Sequence, residues 1–247
     1  MQRGRRATML QHETLELADG AKIGYAVTGP ADASYAVLCF NPGGANYIAW
    51  EIAAELLAAN GVRCILHDCR GLGSSEPAPY SERDELDAQL HFDQYAADAR
   101  ALLTHLGALD NVVVCGSSWG ARPAAATVAQ LGDAVAAAIL FDISFGKAER
   151  PIQESGERLA RDKCKRLGIV EPRVDFGKIA GAIGPNGKKS VLTTMATAKP
   201  PYGEAQTFLE TFLAGATCPT LVAMGEFDPN LVARPGKLNL NSSRSNV

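Results

Sequence analysis

The sequence predicts a single α/β domain built on a largely parallel sheet. Short apolar, β-branched runs alternate with stretches in which apolar residues have helical spacing, and strands separated by helices pair in parallel. The chain has 247 residues, 47% of them hydrophobic, which is enough to bury one full core and too few for two large independent domains. The predicted strands cover residues 13–18, 22–28, 36–40, 63–68, 111–116, 136–144 and 219–225.

The first two strands are expected to form a hairpin. Asp19-Gly20 joins them, and this dipeptide readily takes the positive φ that a tight turn requires. The buried run Ala36–Phe40 then opens the alternating part of the chain, and a helix is expected at 47–60, ending at Gly61.

The strongest helical pattern covers residues 92–106. Its apolar residues recur at intervals of three and four and form one stripe: Phe92, Tyr95, Ala96, Ala99, Leu102, Leu103 and Leu106. A further helix is predicted from about 118 to 131.

The alternation stops at about residue 145. From there to about 205 the composition is polar and charged and several prolines interrupt it, which indicates a cap inserted between strands. A helical segment near 203–214 leads to the last predicted strand. Residues 230–247 form an atypical polar tail, and the whole of 1–247 is interpreted as one domain.

Composition argues against several function classes. The net charge of −3 offers no surface for neutralising phosphates, so nucleic acid is not expected as a partner. No apolar run approaches the roughly 18 residues of a membrane span. Six cysteines without a C-x-x-C pair predict free thiols, no disulfide framework, no metal and no cofactor, and hence a reducing, cytoplasmic location. The pattern indicates no particular oligomeric state.

The most specific motif is Gly116-Ser117-Ser118-Trp119-Gly120, a G-x-S-x-G between an apolar strand and a helix. A serine on such a turn is held in a strained conformation, and the flanking glycines avoid collisions across the turn. Ser118 would then point out of the sheet at a helix N-terminus, where backbone N–H groups, including that of Trp119, stabilise an oxyanion. The alternative is an ordinary serine N-cap.

Three further segments follow predicted strands: Asn41-Pro42-Gly43-Gly44, Asp68–Ser75 and Gly225–Pro229. With the serine motif, they resemble the α/β-hydrolase superfamily across roughly residues 13 to 229. The resemblance implies a twisted, mostly parallel sheet with helices on both faces and a cap insertion.

The resemblance also implies roles for individual residues. Gly43 would supply the second oxyanion N–H, Asp228 would orient a catalytic histidine, and Asp68 and Arg70 would fix loop geometry. Asp142 is a second acid candidate, although a solvent-facing aspartate at a strand end is the simpler explanation.

The chain departs from the family in its histidines. All four, His12, His67, His91 and His105, precede Ser118, whereas the family places its base after the acid. His67 and His91 could border the site, but neither occupies a family position. We therefore expect the C-terminal part of the fold to be truncated, with marginal stability because the last strand would be an uncovered edge.

The function that the sequence predicts is serine acyl transfer on an ester, amide or related small carboxylic substrate, impaired by the missing histidine. The alternative is a non-catalytic relative that binds a small molecule or a protein. A cofactor-free oxygenase or a carbon–carbon bond-cleaving enzyme would share the same motifs, because fold does not fix reaction.

Overall fold

The computed structural model describes residues 10–142, 158–159, 161–168, 184, 189–190, 212 and 215–224. Within these residues the chain forms one seven-stranded sheet in the order β1-β2-β4-β3-β5-β6-β7. The strands are β1 (Glu13–Glu16), β2 (Lys22–Thr28), β3 (Ala36–Phe40), β4 (Arg63–His67), β5 (Val112–Ser117), β6 (Val135–Phe141) and β7 (Thr220–Ala223).

The sheet is mixed, and its antiparallel part is confined to one side. Strand β1 pairs antiparallel with β2, and β2 pairs antiparallel with β4, whereas all other neighbours are parallel. The predicted turn joins β1 and β2: Gly20 has a φ of +85°, and the Asp19 carboxylate accepts a hydrogen bond from the Ala21 amide at 3.0 Å. The largely parallel sheet predicted from the alternation of elements is thus confirmed.

Helices cover both faces of the sheet, as expected. They are α1 (Glu51–Ala58), α2 (Arg83–Gln89), α3 (Phe92–His105) and α4 (Ala121–Leu131). Helices α3 and α4 enclose the larger core together with Leu38, Phe40 and Leu140. Helix α1 packs on the opposite face, where Ala54 joins a smaller core that contains Cys39 and Cys64.

The elements differ from their predicted forms in three places. The predicted helices at 47–60 and 118–131 each begin with a 3-10 turn, at Tyr47–Trp50 and Ser118–Gly120, before α1 and α4 start. Helix α2 was not predicted, because Leu86 is its only buried residue and it has no apolar stripe. The proposed cap and the tail at 230–247 lie mostly or wholly outside the described residues.

The free thiols are confirmed for the cysteines placed in strands. Cys39, Cys64 and Cys115 are buried and unbridged. Among the described residues, no helix has the length and apolar character needed to cross a bilayer, and no group of three or more histidine, cysteine or acidic side chains could hold a metal ion.

Candidate functional site

Ser118 lies in a strained turn at the end of β5. Its φ is +53°, a backbone conformation that residues other than glycine rarely adopt. Strand β5 ends at Ser117, and the 3-10 turn of Ser118–Gly120 passes directly into α4. Such strain persists only where the surrounding structure enforces it, and residues in this state cluster at functional sites.

Close packing requires glycine at both flanking positions of the motif, Gly116 and Gly120. A Cβ on Gly116 would stand 2.5 Å from the Gly120 carbonyl oxygen, on the far side of the turn. A Cβ on Gly120 would stand 2.4 Å from the Asn41 carbonyl oxygen and 2.5 Å from that of Phe40. The serine turn, residues Ser118–Gly120, therefore packs directly against the end of β3.

The glycine loop, residues 41–47, follows β3 and lies beside this turn. In the parallel register Phe40 is opposite Gly116, so the chain enters the loop next to Ser117. Gly43 and Gly44 are exposed, and Gly44 has a φ of +78°. The structure therefore brings the predicted residues Gly43, Ser118 and Trp119 to one edge of the sheet, whereas Asp228 lies outside the described residues.

The Trp119 side chain anchors the turn to α3. Its ring packs edge-on against Phe92 and Tyr95, with centroids 6.0 and 5.8 Å apart. The side chain is buried, at 6% exposure. This packing leaves the backbone N–H of Trp119 at the start of the helical segment, where N–H groups lack intrahelical partners.

Asp68 joins the loops around the site. Its buried carboxylate accepts hydrogen bonds from the Asn41 amide group at 2.9 Å, the Tyr47 backbone N–H at 2.8 Å, and both the backbone N–H and the hydroxyl of Ser74 at 2.8 Å. Burial raises the pKa of Asp68 to about 6, although these hydrogen bonds oppose the rise. These contacts agree with the expectation that Asp68 holds loop geometry.

Arg70 anchors the loop that follows β4, to which Asp68 also belongs. Its guanidinium forms a bidentate pair with Asp98 on α3, at 2.9 and 2.7 Å, and it also binds Asp19 at 2.6 Å. Arg70 is 1% exposed, and its pKa is raised by its hydrogen bonds to Asp98 and Asp19, against the lowering effect of burial. This arrangement confirms the structural role expected for Arg70.

His67, one of the two histidines considered as a substitute base, is buried in the core. Its ring packs edge-on against Phe40 at 4.7 Å, and burial lowers its pKa to about 4 despite a hydrogen bond with the Cys39 backbone. A base with so low a pKa is a weak proton acceptor at neutral pH. His67 is therefore a core residue.

The other histidines have local structural roles. His91 is the N-cap of α3 and accepts a hydrogen bond from the Asp93 backbone N–H at 3.3 Å, so its position is set by the helix start. His105 is exposed at the end of the same helix, and its ring meets Tyr25 edge-on with centroids 6.4 Å apart. The His12 ring stacks on Tyr47 and its Nδ1 lies 2.9 Å from the Tyr47 hydroxyl.

The contact between His12 and Tyr47, beside the loop that follows β3, could not be predicted from the sequence. Tyr47 is buried at the end of the glycine loop, and His12 lies 35 positions earlier in the chain. No local pattern marks a contact over that separation. Asp142, the second acid candidate, directly follows β6. It is exposed, with a φ of +46°, and its backbone N–H donates to the Ala223 carbonyl oxygen at 2.8 Å.

A cavity of about 520 Å³ lies away from Ser118, between the β1–β2 hairpin and the segment that follows Asp68. Lys22, Tyr80 and Lys189 are among its lining residues. The hydroxyls of Ser74 and Ser75, which also line it, are already bound to Asp68. We assign the candidate site to Ser118 because this cavity contains no strained nucleophile.

The family described as alpha/beta hydrolase fold matches residues 35–162, which include the glycine loop, Asp68, Arg70 and the serine turn. The chain belongs to the α/β-hydrolase family. A comparison with curated protein sequences gives no match.

Solved α/β-hydrolase structures resemble the chain in fold. A carboxylesterase of the thaumarchaeon Nitrososphaera gargenis is 18% identical over 87% of this chain and 80% of its own, with a TM-score of 0.58. A thermophilic esterase from Thermogutta terrifontis is 21% identical over 91% and 86%, with a TM-score of 0.58. A Vigna radiata epoxide hydrolase mutant is 17% identical over 90% and 83%, with a TM-score of 0.54. These names cover different reactions, so the fold alone does not select one.

Proposed function

We propose that the chain is a serine hydrolase that acts by acyl transfer on an ester, amide or related carboxylic bond of a small molecule. The observation that carries this proposal is the strained backbone of Ser118, at a φ of +53° between two glycines that the packing requires. A serine held in this way presents its hydroxyl at the edge of the sheet.

In the proposed reaction, the Ser118 oxygen attacks the substrate carbonyl carbon and forms a tetrahedral intermediate. The backbone N–H groups of Trp119 and Gly43 donate to its oxyanion. The bond to the leaving group then breaks, and the leaving group departs with the proton that the Ser118 hydroxyl has given up. Water attacks the acylated Ser118 in the second half of the reaction, releasing the acid and restoring the hydroxyl.

The proton transfers need a base, with Asp228 proposed as the acid that orients it. No histidine follows Ser118 in the sequence. We therefore expect this chain to turn over slowly, because removal of one triad member lowers the rate by several orders of magnitude and leaves the contribution of the oxyanion hole.

Hydrolysis of p-nitrophenyl acetate and butyrate tests the proposal. We expect slow release of p-nitrophenol by the wild-type chain and none above background by Ser118→Ala. Ser117→Ala is the matched control, because it removes a neighbouring hydroxyl of the same motif and should keep the wild-type rate. Equal rates for all three proteins would contradict the role of Ser118.

The second candidate function is non-catalytic binding of a small molecule or a protein partner. The absence of a histidine after Ser118 favours it, because a serine hydroxyl without a base is a weak nucleophile. A folded sample that neither hydrolyses esters nor reacts at Ser118 would support this function.

A further inference from the structure

We propose that Asp68 is a positioning residue for the oxyanion loop, defined as residues 41–47, and that its carboxylate sets where the Gly43 N–H lies. The inference rests on the proposed function, in which that N–H stabilises the oxyanion. A buried carboxylate outside the serine motif would thus affect the rate at which Ser118 reacts.

The carboxylate binds both ends of the oxyanion loop through one oxygen. Asp68 Oδ1 accepts from Asn41 Nδ2 at 2.9 Å and from the Tyr47 backbone N–H at 2.8 Å. Asn41 is the first residue of the loop and Tyr47 is the last. One oxygen atom thus bridges the two ends of the loop. Asn41 Nδ2 also donates to the His67 carbonyl oxygen at 3.1 Å.

The carboxylate itself is held from the other side. Asp68 Oδ2 accepts two hydrogen bonds from Ser74, and a Cβ on Gly73 would stand 2.1 Å from this oxygen. The Asp68 carbonyl oxygen accepts from the Ser75 hydroxyl at 2.7 Å. With every contact short and Asp68 fully buried, the carboxylate has little freedom to move.

The middle of the oxyanion loop is an exposed turn. The Ala45 backbone N–H donates to the Pro42 carbonyl oxygen at 3.1 Å, across Gly43 and Gly44. Gly43 and Gly44 are exposed, and a Cβ placed on Gly44 would meet no atom within 4 Å. Glycine also has the widest backbone freedom of any residue. The Pro42–Ala45 hydrogen bond shapes this turn but does not attach it to the rest of the protein. The placement of the Gly43 N–H therefore depends on the two ends that Asp68 binds.

The substitution Asp68→Asn tests the inference. It keeps the shape of the side chain but replaces one acceptor oxygen with an NH₂ group, which faces donors that it cannot bind. We expect faster amide hydrogen exchange across residues 43–45. We also expect a roughly 10- to 100-fold slower reaction of Ser118 with a fluorophosphonate, the loss typical of a displacement of about 1 Å at a reacting centre.

Asp98→Asn is the matched control. It alters a carboxylate that is also buried and that binds Arg70 in the segment after Asp68, but within the described part of the chain it has no hydrogen bond to the oxyanion loop. Because it is also expected to lower stability, it separates general destabilisation from the loss of a bond to the oxyanion loop. In folded samples, this variant should keep both the exchange at 43–45 and the labelling rate within about twofold of wild type. Equal effects of the two variants would overturn the inference, as would unchanged exchange in Asp68→Asn.

A second variant covers the case in which Asp68→Asn does not fold. Asn41→Ala removes one of the two links between Asp68 and the loop, together with the Asn41 Nδ2 bond to the His67 carbonyl oxygen. Asn41 Oδ1 has no hydrogen-bond partner among the described residues. We expect a smaller change in the same direction, and no change would overturn the inference. Amide exchange reports the placement of the loop without any reaction at Ser118. A folded wild-type chain that does not react with the fluorophosphonate would therefore refute the proposed function and not this inference.

Discussion

Gly120 lies so close to Asn41 that a Cβ on the glycine would stand 2.4 Å from the asparagine carbonyl oxygen. The contact joins the serine turn after β5 to the oxyanion loop after β3. Both segments leave neighbouring parallel strands at the same edge of the sheet. The two parts of the proposed catalytic machinery are therefore coupled through backbone, without an intervening side chain.

Gly120→Ala should disrupt this coupling. The new Cβ would collide with two backbone carbonyl oxygens that have little freedom to move, so we expect about 2 kcal/mol or more of lost stability and loss of Ser118 reactivity. Urea denaturation and labelling measure the two effects. Gly215→Ala is the control, because a Cβ there meets nothing within 4 Å. Wild-type stability in Gly120→Ala would contradict the close packing.

Asp98→Asn should destabilise the folded state by about 3 kcal/mol, because it leaves the buried Arg70 charge without its bidentate partner. Asp87→Asn serves as the control. It breaks the Arg83–Asp87 pair on α2, whose side chains are 52% and 39% exposed, and should cost less than about 0.5 kcal/mol. Chemical denaturation of both variants measures the difference, and similar costs would show that the Arg70 pair is not a buried interaction.

His67 should make the stability fall as the pH is lowered. Its pKa is about 4 in the folded state against an ordinary 6.5, so between these pH values the unfolded chain binds a proton that the folded chain does not. The free energy of unfolding should decrease by up to about 3 kcal/mol from this residue as the pH drops from 7 to 4.

The substitution His67→Phe isolates that effect. Asp68, whose folded pKa of about 6 lies above its ordinary value, acts in the opposite direction over an overlapping range but is present in both proteins. The stability of wild type relative to His67→Phe, measured by urea denaturation at pH 7 and pH 4.5, should therefore fall on acidification. A difference independent of pH would show that His67 is not buried in its neutral form.

The sequence was sufficient for features encoded locally. The apolar stripe that begins at Phe92 predicted α3 to within one residue, because a regular helix with one buried face needs only that spacing. The glycines around Ser118 predicted the strained turn, since only glycine permits such close backbone contacts. Family membership followed from the same short motifs, and the match over residues 35–162 confirms it.

Contacts that depend on distant segments could not be predicted in this way. The donors to Asp68 come from residues 41, 47 and 74, and the burial of His67 against Phe40 depends on the pairing of β3 with β4. Helix α2 was missed because its sequence is polar, with Leu86 alone buried. The acid role of Asp228 stays a prediction.

Covalent labelling by a fluorophosphonate, with the modified peptide identified by mass spectrometry, tests the proposed role of Ser118 as nucleophile most directly. That role predicts a single adduct on Ser118 in the folded wild-type chain and in Ser117→Ala, with no adduct in Ser118→Ala. An unlabelled wild-type chain that is folded by circular dichroism, or an adduct that survives in Ser118→Ala, would contradict it.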